Sequence, residues 1–352
     1  MGVGSWELGV GSWELTRLRA VVPRPIRLAA SAFLARRRSD ALQADLAAMV
    51  ARPAPIVAGP WLGEVGFELL YWVPFLRWCA ERLDVDPDRF VAFSRGGTGS
   101  WYRPFAARYA DVFDEVSPGM FRDRHDARVR ELGEQKQTRV TAFDRELVDA
   151  AMRRAHLDDW SLLHPSRMYD VLNPYWWSHQ SSEWVHQHVR YARLADPGPA
   201  GLPDLPSRYV AVKFYFNECF PATPENRSFV RGVLQTLARR GPVIALSTRL
   251  DIDDHGGIRV DEHGVRHLPE GIDPSRNLQV QSAIVAGADR FVGTYGGFSY
   301  LAPFYGVRSC AYYSNADGFS RRHLNLAHEA FARCGSDGFL RVNATSDGHE
   351  QS

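Results

Sequence analysis

One run of thirty residues, NLQVQSAIVAGADRFVGTYGGFSYLAPFYG from Asn277 to Gly306, constrains the fold of this chain more than any other feature. Its apolar residues recur with helical spacing up to Gly287, and Arg290-Phe291-Val292 then opens a short apolar strand. A glycine-rich turn follows the strand, and Ser299 begins a second helix, whose free N–H groups attract an anion. The run therefore predicts either a phosphate-binding turn or a plain strand-to-helix connection of a parallel sheet.

Strands and helices alternate along most of the remaining chain. Strands are predicted at 55–59, 89–93, 112–116, 209–214, 242–247 and 310–313, and helices at 67–83, 225–240 and 323–333. The segment 122–194 is expected to be mostly helical. Such alternation predicts the α/β class, with two Rossmann-like domains whose parallel sheets face a cleft.

A stretch rich in proline and glycine, Asp196–Pro206, marks the boundary between the two domains. We therefore divide the chain into six segments. These are a tail with a basic helical segment (1–50), an N-terminal Rossmann-like domain (51–195), a linker (196–207), a C-terminal Rossmann-like domain (208–318), a closing helix with the start of a tail (319–340) and a disordered tail (341–352).

Composition excludes several classes of protein. A net charge of +1 argues against a nucleic-acid partner, and 45% hydrophobic residues suffice for two cores. The four cysteines form no CxxC pair, so neither a zinc site nor a disulfide scaffold is expected, and a reducing cytoplasm fits best. No apolar run approaches the roughly 20 residues that span a bilayer, and no secretory signal pattern opens the sequence.

The N-terminal segment is basic and partly apolar. After two successive copies of GVGSWEL, which we interpret as a disordered tail, the stretch 15–38 holds seven arginines and no acid. Leucine, valine, isoleucine and phenylalanine are interleaved with these arginines. The pattern is typical of a segment that lies on an anionic membrane surface, or of a solvated leader or a helix packed on the body.

Two carboxylates follow the first predicted strand. Glu64 lies in the loop 60–66, and Glu68 in the first turn of the next helix, so both are expected at the rim of the cleft, where either can act as a general base. Glu68 is equally well explained as an acid that complements the helix dipole.

Cationic and polar residues follow the strands of the second domain. Lys213 closes an apolar strand and is expected to point at a ligand or to reach solvent, and Asn217 lies just beyond it. Thr248 and Arg249 close the next strand, and Arg249 is placed either to grip a phosphate or to pair with Asp251 or Asp253. The stretch Asp251-Ile252-Asp253 comes nearest to a metal-binding DxD motif, but we interpret it as a solvated loop, and no metal is expected.

Aromatic residues cluster between positions 169 and 184. Tyr169 and Trp176 can stack on a sugar or a lipid-linked acceptor, although such clusters are also common in cores. Arg95, in the loop that follows the second predicted strand, is grouped with them as a candidate for acceptor binding.

Taken together, this layout resembles the GT-B glycosyltransferases, which move a sugar from an activated nucleotide. The stretch GFELLYWVPFL, 66–76, is similar to the opening of bacterial heptosyltransferases, in which a glycine and an acid start a helix and a proline follows. In that family the acid is the catalytic base. The resemblance therefore implies Glu68, whose spacing to Pro74 fits, or Glu64, which directly follows Gly63.

The C-terminal half carries the donor side of the resemblance. Lys213 matches a position where heptosyltransferases place a basic residue on the donor phosphates, and Asp289–Ser299 resembles the donor motif of O-fucosyltransferase-like enzymes. The arginine-rich strand of the latter is absent from Val212–Asn217, so a fucose donor is not implied. The donor-binding residues assigned in this way are Lys213, Asn217, Thr248, Arg249, Gly293, Thr294, Tyr295, Gly296, Gly297 and Ser299.

The sequence thus predicts a cytoplasmic glycosyltransferase, inverting and metal-independent, that acts in polysaccharide or glycoconjugate assembly. Its partners would be a nucleotide sugar as co-substrate, with no further cofactor, and a glycan or lipid-linked acceptor, and residues 15–38 would contact the inner face of a membrane. A nucleotide-sugar epimerase of similar fold and a catalytically silent sugar-binding protein are the alternatives.

Overall fold

The structure is a computed structural model that describes residues 23–133, 135–177, 180–199, 201, 205–248, 258 and 262–347. The repeated N-terminal heptapeptides and the first arginines of the basic segment lie outside the described residues, as do Arg249, Asp251 and Asp253.

The first sheet has four parallel strands in the order β3-β2-β1-β4. They are β1 (Ile56–Ala58), β2 (Phe90–Ser94), β3 (Arg108–Asp111) and β4 (Ser161–Leu163). The strand predicted at 112–116 is wrong: β3 lies just before it, and Asp111 caps a single helical turn there by accepting the Phe113 N–H at 2.9 Å. β4 interrupts a segment that was expected to be helical.

The second sheet has six parallel strands in the order β10-β9-β8-β5-β6-β7. They are β5 (Val210–Lys213), β6 (Val243–Ala245), β7 (Val265–His267), β8 (Arg290–Thr294), β9 (Arg308–Tyr313) and β10 (Leu340–Ala344). The predicted fold class, two α/β units with parallel sheets, is confirmed. Part of the segment expected to be a disordered tail instead forms β10, which adds to the edge of the sheet beside β9.

Ten α-helices of five residues or more lie among the described residues. They are α1 (Arg24–Ala51), α2 (Val73–Leu83), α3 (Pro118–Leu132), α4 (Ala142–Arg154), α5 (Pro165–Trp177), α6 (Ser182–His186), α7 (Pro224–Ala238), α8 (Asn277–Ala286), α9 (Gly297–Phe304) and α10 (Arg321–Arg333). A short helical turn, Val65–Phe67, and a π-helical turn, Glu68–Trp72, precede α2. Side-chain caps such as the capping box of Thr141 and Asp144 fix where α4 begins.

The cores of the two halves merge at one edge. A single cluster of buried apolar side chains includes Trp101 from the first half and Leu278 from the second. Polar bonds join the same elements, because the Gln279 N–H donates to the Gly96 carbonyl at 2.9 Å and the Trp101 indole N–H donates to Ser282 Oγ at 3.2 Å. The two sheets are therefore held in one arrangement, with a cleft beside this contact.

Candidate functional site

A cleft of about 550 Å³ lies between the two halves, against the segments that follow β1, β4, β8 and β9. Ligands of open α/β sheets bind at such carboxyl ends of strands. The polar and charged side chains that line the cleft are Glu64, Tyr71, His125, Gln135, Lys136, Asn217, Glu218, Tyr295, Tyr300, Asp317, Ser320, Arg322 and His323.

Glu64 lies in the cleft, in the loop that follows β1, and its side chain is exposed. Buried residues hold this loop from behind. Arg95 donates from Nη2 to the Gly63 carbonyl at 2.6 Å, and Gln137 Oε1 accepts the Leu62 N–H at 2.9 Å. The carboxylate of Glu64 is thus presented to the cleft by a loop whose backbone is fixed at two successive residues. Arg95, predicted to bind the acceptor, is buried and holds the loop instead.

Gln137 is part of a buried hydrogen-bond network that extends away from the cleft. Its amide nitrogen donates to the Pro60 carbonyl at 2.8 Å and to Asp144 Oδ1 at 3.3 Å. Burial raises the pKa of Asp144, but His164 and hydrogen bonds from Thr141 outweigh burial, so that the pKa lies below its usual value. Asp144 is therefore a carboxylate at neutral pH and a firm acceptor for Gln137.

Glu68 lies in the interior of the protein, away from the cleft. Its side chain is 0% exposed and does not line the cleft. Its Oε1 accepts a hydrogen bond from Ser94 Oγ at 2.6 Å and another from the Tyr102 hydroxyl at 2.5 Å. The structure therefore places Glu64, and not Glu68, where a base can meet a ligand.

The glycine turn after β8 reaches the cleft through Tyr295, Gly296 and Gly297. Two hydroxyl groups of the predicted motif are engaged by the backbone. Thr294 Oγ1 donates to the Tyr215 carbonyl at 2.9 Å, and Ser299 Oγ donates to the Gly296 carbonyl at 2.7 Å. Thr294 and Ser299 thus shape the turn, and its backbone faces the cleft.

The first turn of α9 touches the helical turn that follows Glu64. A methyl group on Gly297 would lie 2.5 Å from the backbone nitrogen of Gly66, and one on Gly66 would lie 3.0 Å from the Cα atom of Gly297. Only glycines allow this approach. The contact closes the floor of the cleft between the two halves.

Three of the remaining predicted donor residues do not line the cleft. Lys213 Nζ donates to Gln281 Oε1 at 2.6 Å and lies 3.5 Å from the centre of the Phe298 ring. Thr248 is half-buried, and Gly293 lies inside β8 with its Cα against the Lys213 carbonyl. Asn217 does line the cleft, and its amide nitrogen donates to the Tyr295 carbonyl at 3.2 Å.

Sequence reasoning missed the cations that the cleft contains. Lys136 follows α3, and its Nζ lies 3.3 Å from the centre of the Phe67 ring. Arg322 and His323 lie in the first turn of α10, which Ser320 caps. The run Ser320-Arg321-Arg322-His323 carried the signal, a capped helix start with basic residues, but it follows β9 and was interpreted only as a closing helix.

His323 is a neutral imidazole in this setting. Burial, followed by the charges of Lys136 and Arg322, lowers its pKa from 6.5 to about 4. Nδ1 lies 2.7 Å from the hydroxyl of Tyr71, whose pKa burial raises well above its usual value. The phenol therefore keeps its proton, and the hydrogen bond joins two neutral groups.

Aromatic rings form the wall of the cleft on the side of the first sheet. Tyr169 and Trp176, both predicted for acceptor binding, line it together with Phe67 and Tyr71. The Trp176 ring lies 5.5 Å from that of Tyr169 and 5.1 Å from that of Tyr71, between ring centres. An aromatic wall of this kind suits the apolar face of a sugar ring.

No group of three or more His, Cys, Asp or Glu side chains among the described residues is arranged to hold a metal ion. Of the helices described, none combines the length and the apolar character needed to cross a membrane.

No family model matches the sequence, and no curated protein matches it. The chain is similar to the solved structure of a family 9 glycosyl transferase from Veillonella parvula, with 14% identity, 85% of this chain and 88% of that chain covered, and a TM-score of 0.41. It is also similar to the E. coli ADP-heptose lipopolysaccharide heptosyltransferase II, with 12% identity, 82% of this chain and 90% of that chain covered, and a TM-score of 0.45. A third similar structure is the UDP-GlcNAc 2-epimerase of Methanocaldococcus jannaschii, with 6% identity, 83% of this chain and 89% of that chain covered, and a TM-score of 0.33. The first two are named as transferases of the kind that the sequence resembles.

Proposed function

We propose that this protein is a glycosyltransferase that moves a sugar from a nucleotide-diphosphate sugar to a hydroxyl acceptor in polysaccharide or glycoconjugate assembly. The observation that carries the proposal is the composition of the cleft. One carboxylate, Glu64, a glycine turn at a helix start, Gly296–Gly297, two cations, Lys136 and Arg322, and an aromatic wall all line the same space of about 550 Å³. This combination suits an anionic leaving group, a sugar and a hydroxyl nucleophile at once.

The diphosphate of the donor would lie against the glycine turn. Backbone N–H groups at the start of α9 favour an anion, and Lys136 and Arg322 supply the positive charge that Lys213 was predicted to supply. In the tautomer that accepts the Tyr71 hydroxyl proton on Nδ1, neutral His323 would add a hydrogen-bond donor at Nε2. As the bond to the anomeric carbon breaks, these groups stabilise the charge that develops on the leaving diphosphate.

Glu64 would act as the general base. Its carboxylate takes the proton of the acceptor hydroxyl as that oxygen attacks the anomeric carbon, and the nucleoside diphosphate leaves from the opposite face. One such displacement inverts the configuration at the anomeric carbon. Fixed cations and a helix end carry the charge compensation in this scheme, so that it needs no metal ion.

The acceptor would bind between Glu64 and the aromatic wall. Trp176, which is half-buried, and the more deeply buried Tyr169 line the side of the cleft where a glycan or the sugar of a lipid-linked acceptor would stack. We place the reaction in the cytoplasm, where nucleotide sugars are the co-substrates of such transfers.

The donor site is tested by calorimetric titration with ADP, UDP and GDP. Lys136→Ala and Arg322→Ala should each weaken binding by roughly 10- to 150-fold, since a charge-assisted hydrogen bond contributes about 1.5–3 kcal/mol. Lys213→Ala is the matched control: it removes the same charge outside the cleft and should leave the affinity near that of the unchanged protein. If no nucleoside diphosphate binds, or if only Lys213→Ala weakens binding, this donor site is wrong.

The reaction is tested with radiolabelled nucleotide sugars and product analysis. Glu64→Gln should lower turnover by about 10²–10⁴, the usual contribution of a general base, while nucleotide affinity is retained. Glu68→Gln should keep turnover in whatever fraction of the protein is folded. Release of an isomerised nucleotide sugar would instead indicate the epimerase, and binding without turnover of any donor would indicate a silent binding protein.

A further inference from the structure

The N-terminal half of α1 carries an exposed apolar surface. Ile26, Phe33 and Leu34 are 58%, 60% and 55% exposed, and the other large apolar side chain described as exposed, Met120 at 53%, lies far along the chain on α3. With roughly 100° of rotation per helical residue, Ile26, Phe33 and Leu34 fall on one face of α1. This apolar face is opposite to the stripe by which α1 packs on the body.

Buried contacts on that opposite stripe fix the orientation of α1. Ala35, Leu42 and Leu46 enter the core. Ser39 Oγ lies 2.8 Å from His188 Nε2, and His188 Nδ1 donates to the Trp184 carbonyl at 2.9 Å. Because the helix is anchored in this way, the apolar face is held outward.

Exposed arginines lie beside the apolar face. Arg36 and Arg37 are exposed, and the Arg37 guanidinium lies 5.9 Å from the centre of the Phe33 ring. In the sequence, residues 15–38 contain seven arginines and no acid. A surface that joins exposed apolar side chains to exposed arginines is complementary to a lipid interface with anionic headgroups, where rings enter the acyl boundary and guanidinium groups meet phosphates. We propose that the first half of α1 docks the protein on an anionic lipid surface.

The helix that receives α1 also builds the cleft. On α5, Asp170 pairs with Arg38 at 3.3 Å and Arg167 pairs with Asp45 at 2.6 Å. Tyr169 and Trp176 of the same helix line the aromatic wall. A lipid surface under α1 therefore lies one helix away from the side of the cleft where an acceptor would bind. The docking itself does not depend on the proposed transfer reaction.

The test is co-sedimentation of the full chain with vesicles. The probes are vesicles of phosphatidylcholine alone and vesicles of phosphatidylcholine with phosphatidylglycerol, at low and at high salt. Two variants address the apolar and the charged part separately: Phe33→Ala with Leu34→Ala, and Arg36→Glu with Arg37→Glu. The matched controls are Met120→Ala, which truncates an equally exposed apolar residue, and Arg145→Glu with Arg153→Glu on the exposed face of α4.

We expect binding to the anionic vesicles that weakens with salt, and little binding to the neutral ones. Each α1 variant should weaken binding by on the order of tenfold, and each control by less than about twofold. Circular dichroism spectra and melting temperatures equal to those of the unchanged protein show that the α1 variants fold. The proposal is overturned if the unchanged chain does not sediment with anionic vesicles, if α1 variants and controls bind alike, or if the α1 variants change only the oligomeric state.

Discussion

The contact between Gly66 and Gly297 makes a sharp prediction about Gly297→Ala. The added methyl group would lie 2.5 Å from the Gly66 nitrogen, 3.1 Å from its Cα and 3.3 Å from the Val65 carbonyl carbon. All three are backbone atoms of helical turns, so no flexible side chain can yield. Overpacking of this kind costs about 1–3 kcal/mol, and part of that cost will be relieved by separating the two halves at the floor of the cleft.

The prediction is measured by differential scanning calorimetry and by nucleotide titration. In a domain of 150–250 residues each kcal/mol corresponds to roughly 2–4 °C, so Gly297→Ala should melt several degrees below the unchanged protein. Nucleoside diphosphates should also bind it more weakly if the proposed donor site is correct, because the glycine turn that is proposed to receive them is displaced. The matched control is Gly119→Ala at the start of α3, where an added methyl group meets nothing within 4 Å.

Gly119→Ala should be neutral or slightly stabilising, since replacing glycine by alanine in a helix restricts the unfolded chain. The reasoning is refuted if Gly297→Ala melts with the control and binds nucleotide normally. That result would mean that the turn and α9 are not in backbone contact. Gly66→Ala, whose closest contact would be 3.0 Å, should cost less than Gly297→Ala.

Two further predictions concern buried polar groups. Folding lowers the pKa of His323 from 6.5 to about 4, so the unfolded chain takes up a proton at a higher pH than the folded one. The free energy of unfolding should therefore decline as pH falls from about 6.5 to 4, by roughly 3 kcal/mol at most. His323→Gln should remove this part of the pH dependence in urea titrations, and an unchanged difference between pH 7 and pH 4 would contradict the assignment. Glu68→Leu leaves the buried hydroxyl groups of Ser94 and Tyr102 without their acceptor and should cost about 2–5 kcal/mol. Adding Tyr102→Phe should recover part of that loss, and strictly additive losses in the double variant would show that the two side chains are not coupled.

The sequence was sufficient to predict the features that depend on the local pattern of apolar residues and glycines. Alternating strands and helices predicted two parallel sheets, and the glycine turn after β8 was found because its spacing is short and its residues are distinctive. β4, β7 and β10 were missed. Only three residues form β4 and only three form β7, while β10 reads Leu-Arg-Val-Asn-Ala, so none of them has the apolar run of a central strand.

The side chains of the site depend on contacts between distant segments. Lys213 has its partner in Gln281, which is 68 positions away, and no local pattern announces that pair. Glu68 fits a helix start in the sequence, but tertiary contacts with Ser94 and Tyr102 decide which way its carboxylate turns. Lys136 comes from a segment without a recognisable motif and His323 from a helix start that was interpreted only as architecture, and the two meet only because the two sheets face each other. The roles predicted for Lys213 and Glu68 remain predictions that the experiments on Lys213→Ala and Glu68→Gln address.

The merged core at one edge of the two sheets has a consequence for ligand selection. The Gln279 to Gly96 bond and the Trp101 to Ser282 bond would have to break for the halves to rotate apart there. A ligand that needed a wider cleft would have to break these contacts, at a cost of about 0.5–1.5 kcal/mol for each hydrogen bond. Less of the free energy of binding is spent on ordering the protein when a ligand fits the cleft as it is, and ligands that are too long for it bind more weakly.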